Sequence, residues 1–340
     1  MSKNHRIDVA RDDEAFDVDT AVYSDTDANI EAAGAEFDYR KKYENTPLVV
    51  IAGRPNVGKS TILNWIIGEK VSIVSNKPQT TRNRISGIYN DEDCQIVFLD
   101  TPGMQNPRNK LGKYMLKAST STMKDTDLIM CVVDTSSYIG RMDKNIMEQL
   151  KHTSNTKILV INKMDQIPKE EALKIISMYD ALGIFDEIIP VSALKGDNMD
   201  SIVPTLQKYL TYGPKFYPDD VATDQTLKVM ISEIIREKIL LYTDEEIPHG
   251  TMVQIERLKE REDKEIVDID ALIFCERSSH KKILIGKDGR KIKGIGMAAR
   301  KELEAMLEKQ VNLSLWLKVK ENWRDNENYI RNFGFDEKEI

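Results

Sequence analysis

Leu48-Val49-Val50-Ile51-Ala52-Gly53-Arg54-Pro55-Asn56-Val57-Gly58-Lys59-Ser60-Thr61 joins a β-branched run to a glycine-framed loop, and Ile62-Leu63-Asn64-Trp65-Ile66-Ile67 continues it as a helix-forming stretch. The loop fits G-x-x-x-x-G-K-[ST] in the strand, loop, helix setting that the motif requires. Glycines let the backbone wrap a phosphate with its N–H groups turned inward, and the following helix N-terminus adds positive potential. Lys59 is placed to reach the β- and γ-phosphates and Ser60 to offer a hydroxyl to Mg²⁺. Gly53, Asn56, Val57, Gly58, Lys59, Ser60 and Thr61 are therefore candidate nucleotide contacts.

Outward from this loop, four more β-rich runs alternate with helix-length amphipathic stretches: CQIVFLD from Cys94, LIMCVVD from Leu128, KILVINK from Lys157 and EIIPVSA from Glu187. Five such runs predict an α/β fold, a mostly parallel sheet with helices on both faces. Arg84 to Tyr89 reads as one more strand, antiparallel at an edge. Polar motifs close three of the runs. In Asp100-Thr101-Pro102-Gly103 the aspartate can hold Mg²⁺ through water, and the Gly103 amide can sense a γ-phosphate. In Asn162-Lys163-Met164-Asp165 an ionised carboxylate can accept the N1–H and the exocyclic N2–H₂ of guanine, donors that adenine lacks on that edge. Ser192-Ala193, followed by Leu194, sits where a backbone amide could touch the guanine carbonyl. Together these motifs point to GTP and GDP.

Between the phosphate loop and Asp100 lies Lys77-Pro78-Gln79-Thr80-Thr81-Arg82, the expected mobile loop over the metal and γ-phosphate. Thr81 is the expected metal ligand, beside Ser60 and Asp100, with Thr80 the alternative. Met104, next after Gly103, cannot orient an attacking water as a glutamine can, so unaided hydrolysis should be slow. Lys59, Thr81 and Gly103 are the residues expected to act on the reaction. The Asn56 side-chain oxygen is a candidate ligand for a potassium ion beside the phosphates.

At 340 residues, 41% hydrophobic and 31% charged, the composition is that of a globular protein of about two domains. No apolar run approaches the ~18 residues of a membrane span. Cys94, Cys131 and Cys275 stand singly, as reduced, mostly buried thiols of a cytoplasmic protein, and neither they nor the four histidines have the spacing of a zinc site or a triad. The net charge of -7 is unevenly placed. Residues 1–46 carry 12 acidic against 6 basic side chains and no apolar period, so this extension is expected to be disordered; it is neither a signal nor a transit peptide. Arg277 to Arg324 reverses the balance, with 13 Lys and Arg against 5 Asp and Glu, the footprint of an anionic partner.

The sequence divides into the extension (1–46), a nucleotide domain (47–211), a linker (212–224) rich in proline and aspartate, a second domain (225–325) and a tail (326–340). The second domain reads helix (Leu227 to Leu241), strand (Thr251 to Leu258), strand (Ile266 to Arg277), short helix (Lys281 to Ile285), helix (Lys291 to Glu308) and strand (Val311 to Val319). Gly286-Lys287-Asp288-Gly289 joins its two later helices, with Lys281, Lys282, Arg290, Lys291 and Lys293 around it. Glycines there allow an RNA backbone to approach closely, and an adjacent apolar groove would hold about four unstacked nucleotides. Trp316 and Trp323 are expected to be core or interface residues.

These motifs, with Ser232-Glu233-Ile234-Ile235-Arg236-Glu237-Lys238, HKKILIGKDGRKIKGIGMAAR from His280, and Leu315-Trp316-Leu317-Lys318-Val319-Lys320, resemble the Era family of bacterial ribosome-associated GTPases over residues 46–325. The resemblance implies a P-loop GTPase domain followed by a smaller α+β type II KH domain. It implies a monomer that binds the 3′ end of small-subunit ribosomal RNA, assists assembly of the 30S particle and associates peripherally with the inner membrane, although no segment for the last is found. The acidic extension departs from the family. A phosphoryl transferase acting on a small acceptor is the competing reading, but no acceptor-binding residues accompany it. RNA on the second domain is expected to complete the slow GTPase site, with Tyr212 to Asp220 as the hinge.

Overall fold

The computed structural model describes residues 42–43, 47–104, 107–124, 126–209, 213–262 and 264–335. In chain order the elements are β1 (Lys42–Tyr43), β2 (Leu48–Ala52), α1 (Lys59–Ile67), β3 (Ile85–Asn90), β4 (Gln95–Asp100), α2 (Lys110–Thr122), β5 (Leu128–Val133), α3 (Arg141–Lys151), β6 (Thr156–Ile161), α4 (Lys169–Asp180), β7 (Glu187–Pro190), α5 (Ile202–Gln207) and β8 (Gly213–Pro214). There follow α6 (Leu227–Tyr242), β9 (Thr251–Glu260), β10 (Ile266–Cys275), α7 (Ser278–Ile285), α8 (Arg290–Leu307), β11 (Gln310–Val319) and α9 (Glu327–Asn332).

Six strands form one sheet in the order β3-β4-β2-β5-β6-β7, parallel except for β3, which pairs antiparallel with β4 at the edge. This is the sheet expected from the apolar runs, including the edge strand, which runs one residue later than the Arg84 to Tyr89 reading. The runs are continuous because helices cover both faces. Ile51, Phe98 and Met130 pack on one side with Ile62 and Leu63 of α1, and Val50, Ile129 and Leu159 on the other with Ile146 and Leu150 of α3. Each such buried aliphatic or aromatic side chain contributes about 1.5–3 kcal/mol. The chain leaves β2 toward β4 on one side and β5 on the other, so the crevice of a doubly wound sheet opens at the C-terminal end of β2, where the glycine loop begins.

The second unit follows the expected helix, strand, strand, helix, helix, strand order, with element ends shifted by up to three residues. Its sheet runs β11-β10-β9, β10 parallel to β11 and antiparallel to β9. One face is covered by α6, α7 and α8 through Ile235, Ile239, Leu284, Ile292, Ile295 and Leu303. On β11 the helix-facing residues are Val311, Leu313 and Leu315; Trp316 therefore stands on the opposite face and is 44% exposed, which removes the core alternative of its expected core or interface placement. Trp323 is fully buried, as expected, and its indole N–H donates to Gly250 O at 2.9 Å.

The expected linker is fastened to the first domain at several points between Phe216 and Asp224. Strand β3 offers edge groups that need partners, and the segment supplies them: Ile88 N–H donates to Ala222 O (2.9 Å), Thr223 Oγ1 to Ser86 O (2.7 Å), and Ser86 Oγ to Asp224 (2.8 Å). Gln95 accepts from the amides of Phe216 (2.8 Å) and Tyr217 (3.0 Å). Further back, β8 pairs antiparallel with β1, so the expected disordered extension includes one short paired strand near its end; residues 1–41, 44–46 and 210–212 lie outside the described residues. In the described part of the tail, Ile330 and Phe335 join Trp323 against Leu111, Tyr114 and Met115 of α2 in the first domain, and residues 336–340 lie outside the described residues. All three cysteines are buried, and burial pushes their thiols up, Cys131 to about 12 and Cys94 and Cys275 to about 11, which keeps them protonated. Among the described residues no helix is long and apolar enough to cross a membrane.

Candidate nucleotide site

The glycine loop is shaped by contacts that leave no room for side chains. Gly58 has φ +104°, and a Cβ there would lie 2.1 Å from Asn162 Nδ2; a Cβ on Gly53 would lie 2.4 Å from Val132 O. Lys59 is buried and folds back over the loop, its Nζ donating to the carbonyls of Gly53 and Arg54 at 3.2 Å. Burial pulls its pKa down, and Asp100 opposes that by favouring the charged form.

Three expected metal ligands converge. Ser60 Oγ donates to Asp100 Oδ2 at 2.7 Å, Thr81 Oγ1 lies 3.1 Å from Ser60 Oγ, and Thr81 Oγ1 donates to the same Asp100 oxygen at 3.3 Å. Asp100 is fully buried, and its second oxygen, Oδ1, has no hydrogen-bond partner. Burial raises its pKa while Lys59 and the hydroxyls oppose the rise. One carboxylate with an uncommitted buried oxygen beside two hydroxyls is a hard-oxygen donor set that fits Mg²⁺, which keeps several waters and needs few protein ligands. Thr80, the alternative, is turned away, its hydroxyl donating to Lys77 O at 2.6 Å. The sequence reading missed Ser72, whose Oγ also donates to Asp100 Oδ2 at 3.2 Å; no motif marks it.

Gly103 lies against the glycine loop, where a Cβ would come within 2.8 Å of Pro55 N. Met104 is buried among the residues beneath the sheet, so besides lacking a polar tip it does not face the site. Asn56, Gly58, Lys59, Ser60, Thr61, Thr81 and Gly103 line one cleft of about 400 Å³.

The base-recognition residues split into two kinds. Asn162 is a buried staple: its Nδ2 donates to Val57 O (2.8 Å), and its Oδ1 accepts from the amides of Lys163 (2.7 Å) and Ala193 (3.0 Å). Of the amides that could touch the guanine carbonyl, that of Ala193 is thus engaged by Asn162, and Leu194 is the next amide of the same turn. Lys163 reaches back to Asn56 O at 2.7 Å. Asp165 is exposed and accepts from Ser192 Oγ at 2.6 Å, which aims its free lone pairs outward.

In the second domain, Gly286 and Gly289 both have φ +72° and Asp288 φ +52°, so the Gly286 to Gly289 turn is tight and left-handed. A Cβ on Gly286 would meet Lys291 Cβ at 2.7 Å. Lys282, Lys287, Arg290 and Lys293 are exposed around the turn, with Lys281 and Lys291 half-buried beside it. Asp288 pairs with Arg290 at 3.2 Å. The nine residues expected to contact RNA therefore lie on α7, on the turn and on the first residues of α8.

Two family models match the chain: a 50S ribosome-binding GTPase over residues 48–163 and a KH domain over residues 246–324. GTPase Era of Clostridioides difficile (strain 630) is 57% identical over 291 residues, 85% of this chain and 98% of that protein. GTPase Era of Alkaliphilus oremlandii is 50% identical over 288 residues, again 85% and 98%. Among solved structures, a variant of Aquifex aeolicus Era bound to GDP·AlF4⁻ superposes with a TM-score of 0.82 at 39% identity, covering 86% of this chain and 99% of its own. An Era in complex with MgGDPNP and nucleotides 1506–1542 of 16S ribosomal RNA matches equally well, with the same score, identity and coverage. With both domains matched and 57% of 291 aligned residues identical to a relative covered over 98% of its length, this chain belongs to the Era family of GTPases.

Proposed function

We infer that the protein hydrolyses GTP to GDP and phosphate with Mg²⁺, and works as a switch that binds small-subunit ribosomal RNA and assists assembly of the 30S particle. The observation that carries the reading is the convergence of Ser60, Thr81 and Asp100 beside buried Lys59, on the same strand edge that presents Asp165. The loop amides from Asn56 to Thr61 and Lys59 would bind and orient the phosphates, Ser60, Thr81 and Asp100 would hold the metal, and the Gly103 amide would lie within reach of the γ-phosphate. When bound, Mg²⁺ would supply positive charge to the phosphates. Asp165 selects guanine, with Leu194 at its carbonyl, while Asn162 and Ser192 hold that pocket in shape. The group of Lys281, Lys282, Gly286 to Lys291 and Lys293 takes the RNA, as supported by the relative's complex with the 16S segment. We place the nucleotide domain at 47–211, the RNA domain at 225–325, and the protein in the cytoplasm as a monomer; no surface is assigned to the peripheral membrane association.

Hydrolysis by the full chain alone should be slow, ~10⁻⁴ to 10⁻² s⁻¹, because Met104 leaves the water unoriented. RNA carrying the 16S 3′ end should raise it several-fold. Lys287→Asp sets a second carboxylate beside Asp288 where a phosphate must sit, a repulsion of about 1–3 kcal/mol at intermediate dielectric. RNA affinity should therefore fall about tenfold or more with GDP affinity and melting temperature unmoved; unchanged RNA affinity at physiological salt removes the RNA assignment. Asn56 donates from Nδ2 to Asn76 O at 2.6 Å, leaving Oδ1 as an acceptor beside the phosphate loop. Turnover should accordingly be faster in potassium than in sodium at matched ionic strength, and equal rates would sink the potassium site.

A further inference from the structure

We propose that Arg82 and Arg236 are positioning residues for hydrolysis, through which the RNA-binding domain holds Thr81 against Asp100. The inference rests on the reading of Thr81 as a metal ligand and goes beyond it by naming what places that ligand.

The segment between α1 and β3 that carries Thr81 has no helix or strand, and none of the backbone–backbone hydrogen bonds found among the described residues involves residues 72–84. Its shape is therefore set by side-chain contacts, and most of those reaching residues 74–82 come from the other domain. Val74 N–H donates to Glu237 Oε1 (2.9 Å) on α6, and Lys77 Nζ bonds Asp244 (2.8 Å) and the carbonyl of Thr243. The grip tightens at Thr81. On its N-terminal side, Arg236 of α6, fully buried, donates to the carbonyl of Thr80 and is held in place by Glu233, its Nε 2.7 Å from Glu233 Oε1. On its C-terminal side, the buried Arg82 side chain spreads over three carbonyls at the start of β9: Thr251 O (2.6 Å), His249 O (2.9 Å) and Pro248 O (3.3 Å). Its guanidinium carbon also sits 5.8 Å from the Trp323 ring centroid.

Neither arginine lines the nucleotide cleft, which reaches Thr80 and Thr81 but stops short of both. Any effect on hydrolysis must therefore pass through the segment that carries Thr81. The arrangement is also costly as mere packing. Two guanidinium groups are buried near each other, and Arg82 Nε and Arg236 Nη1 have no hydrogen-bond partner. A planar fork that bridges several carbonyls cannot be reproduced by lysine, whose ammonium is a point donor. The two arginines fix both peptide neighbours of a threonine whose hydroxyl must sit within a few tenths of an ångström to ligate a metal.

The test uses full-length protein and four variants: Thr81→Ala, Arg82→Lys, Arg236→Lys, and Thr81→Ala combined with Arg82→Lys. Each lysine variant alone should lower kcat by on the order of tenfold. Each should also raise the Mg²⁺ concentration for half-maximal rate, while GDP affinity stays within about twofold, since the threonine contact forms only with the γ-phosphate present. In the Thr81→Ala background, Arg82→Lys should cost nothing further, because its route to the reaction is gone. Parental rate and Mg²⁺ dependence in both lysine variants overturn the proposal. So does an undiminished Arg82→Lys effect in the Thr81→Ala background, which would mark the arginine as structural support. If Thr81→Ala itself leaves rate and Mg²⁺ dependence untouched, the metal-ligand reading of Thr81 fails and the proposal falls with it. Lysine keeps charge and length at both positions, and a thermal melt of each variant confirms the fold before its kinetics are read.

Discussion

Replacing Asp165 by asparagine should turn a site selective for guanine into one that prefers xanthine. Ser192, fully buried, donates its hydroxyl proton to Asp165 Oδ1 at 2.6 Å, which fixes the carboxylate's rotation and leaves its remaining lone pairs facing the base. Guanine brings two donors to that edge, N1–H and N2–H₂. In the variant, the asparagine carbonyl can keep the serine proton, which turns the amide nitrogen toward the base and sets donor against donor. Xanthine replaces N2–H₂ with a carbonyl that accepts from the new amide. Sites built around paired hydrogen bonds reject a ligand lacking the partner by as much as ~10⁴-fold, so the exchange of preference should approach that size. Competition between GTP and xanthosine triphosphate on the variant measures it; equal affinities would count against Asp165 as the base-reading residue.

Asn162→Ala should weaken nucleotide binding through the shape of the site. Its side chain ties three chain segments: the phosphate loop at Val57 O, its own turn at Lys163 N, and the turn after β7 at Ala193 N. Deleting it leaves three polar groups short of a partner in a buried place, each costing about 1–3 kcal/mol when unpaired. Water entering the new space will recover part of this. It also removes the atom against which Gly58 is packed. GDP affinity should fall by on the order of a hundredfold, about 2.7 kcal/mol, and the melting temperature should drop with it. A fluorescent-GDP titration beside a thermal melt checks both, and parental affinity would show that the loop keeps its shape without the staple.

The architecture of the first domain and the location of its site were open to reading because the information is local. Parallel strands covered on both faces must be apolar throughout, so β2, β4, β5, β6 and β7 announce themselves as runs, and the polar residue ending each run lies at the C-terminal edge where the nucleotide cleft opens. Glycines at 53 and 58 and at 286 and 289 sit where the backbone has positive φ, and that requirement too is written at single positions. Strict alternation along β11 places Trp316 outward beside Ser314 and Asn312, a signal also written in the sequence.

What stayed hidden depends on pairs distant along the chain. Arg82 and Thr251 are separated by 169 positions and Lys70 and Glu237 by 167, and nothing in the neighbourhood of any of these residues marks its partner. Arg236 is a charged residue within an ordinary amphipathic helix until folding buries it against Thr80. The segment after α5 carries prolines and aspartates and reads as a linker, yet the unpaired edge of β3 captures it through Ala222 and Thr223. Local composition and periodicity therefore determined the elements, the nucleotide motifs and the basic turn. The tertiary structure alone decided how the two domains meet and which arginines are buried, because burial of a charge is stabilised only by the partners that distant segments bring to it.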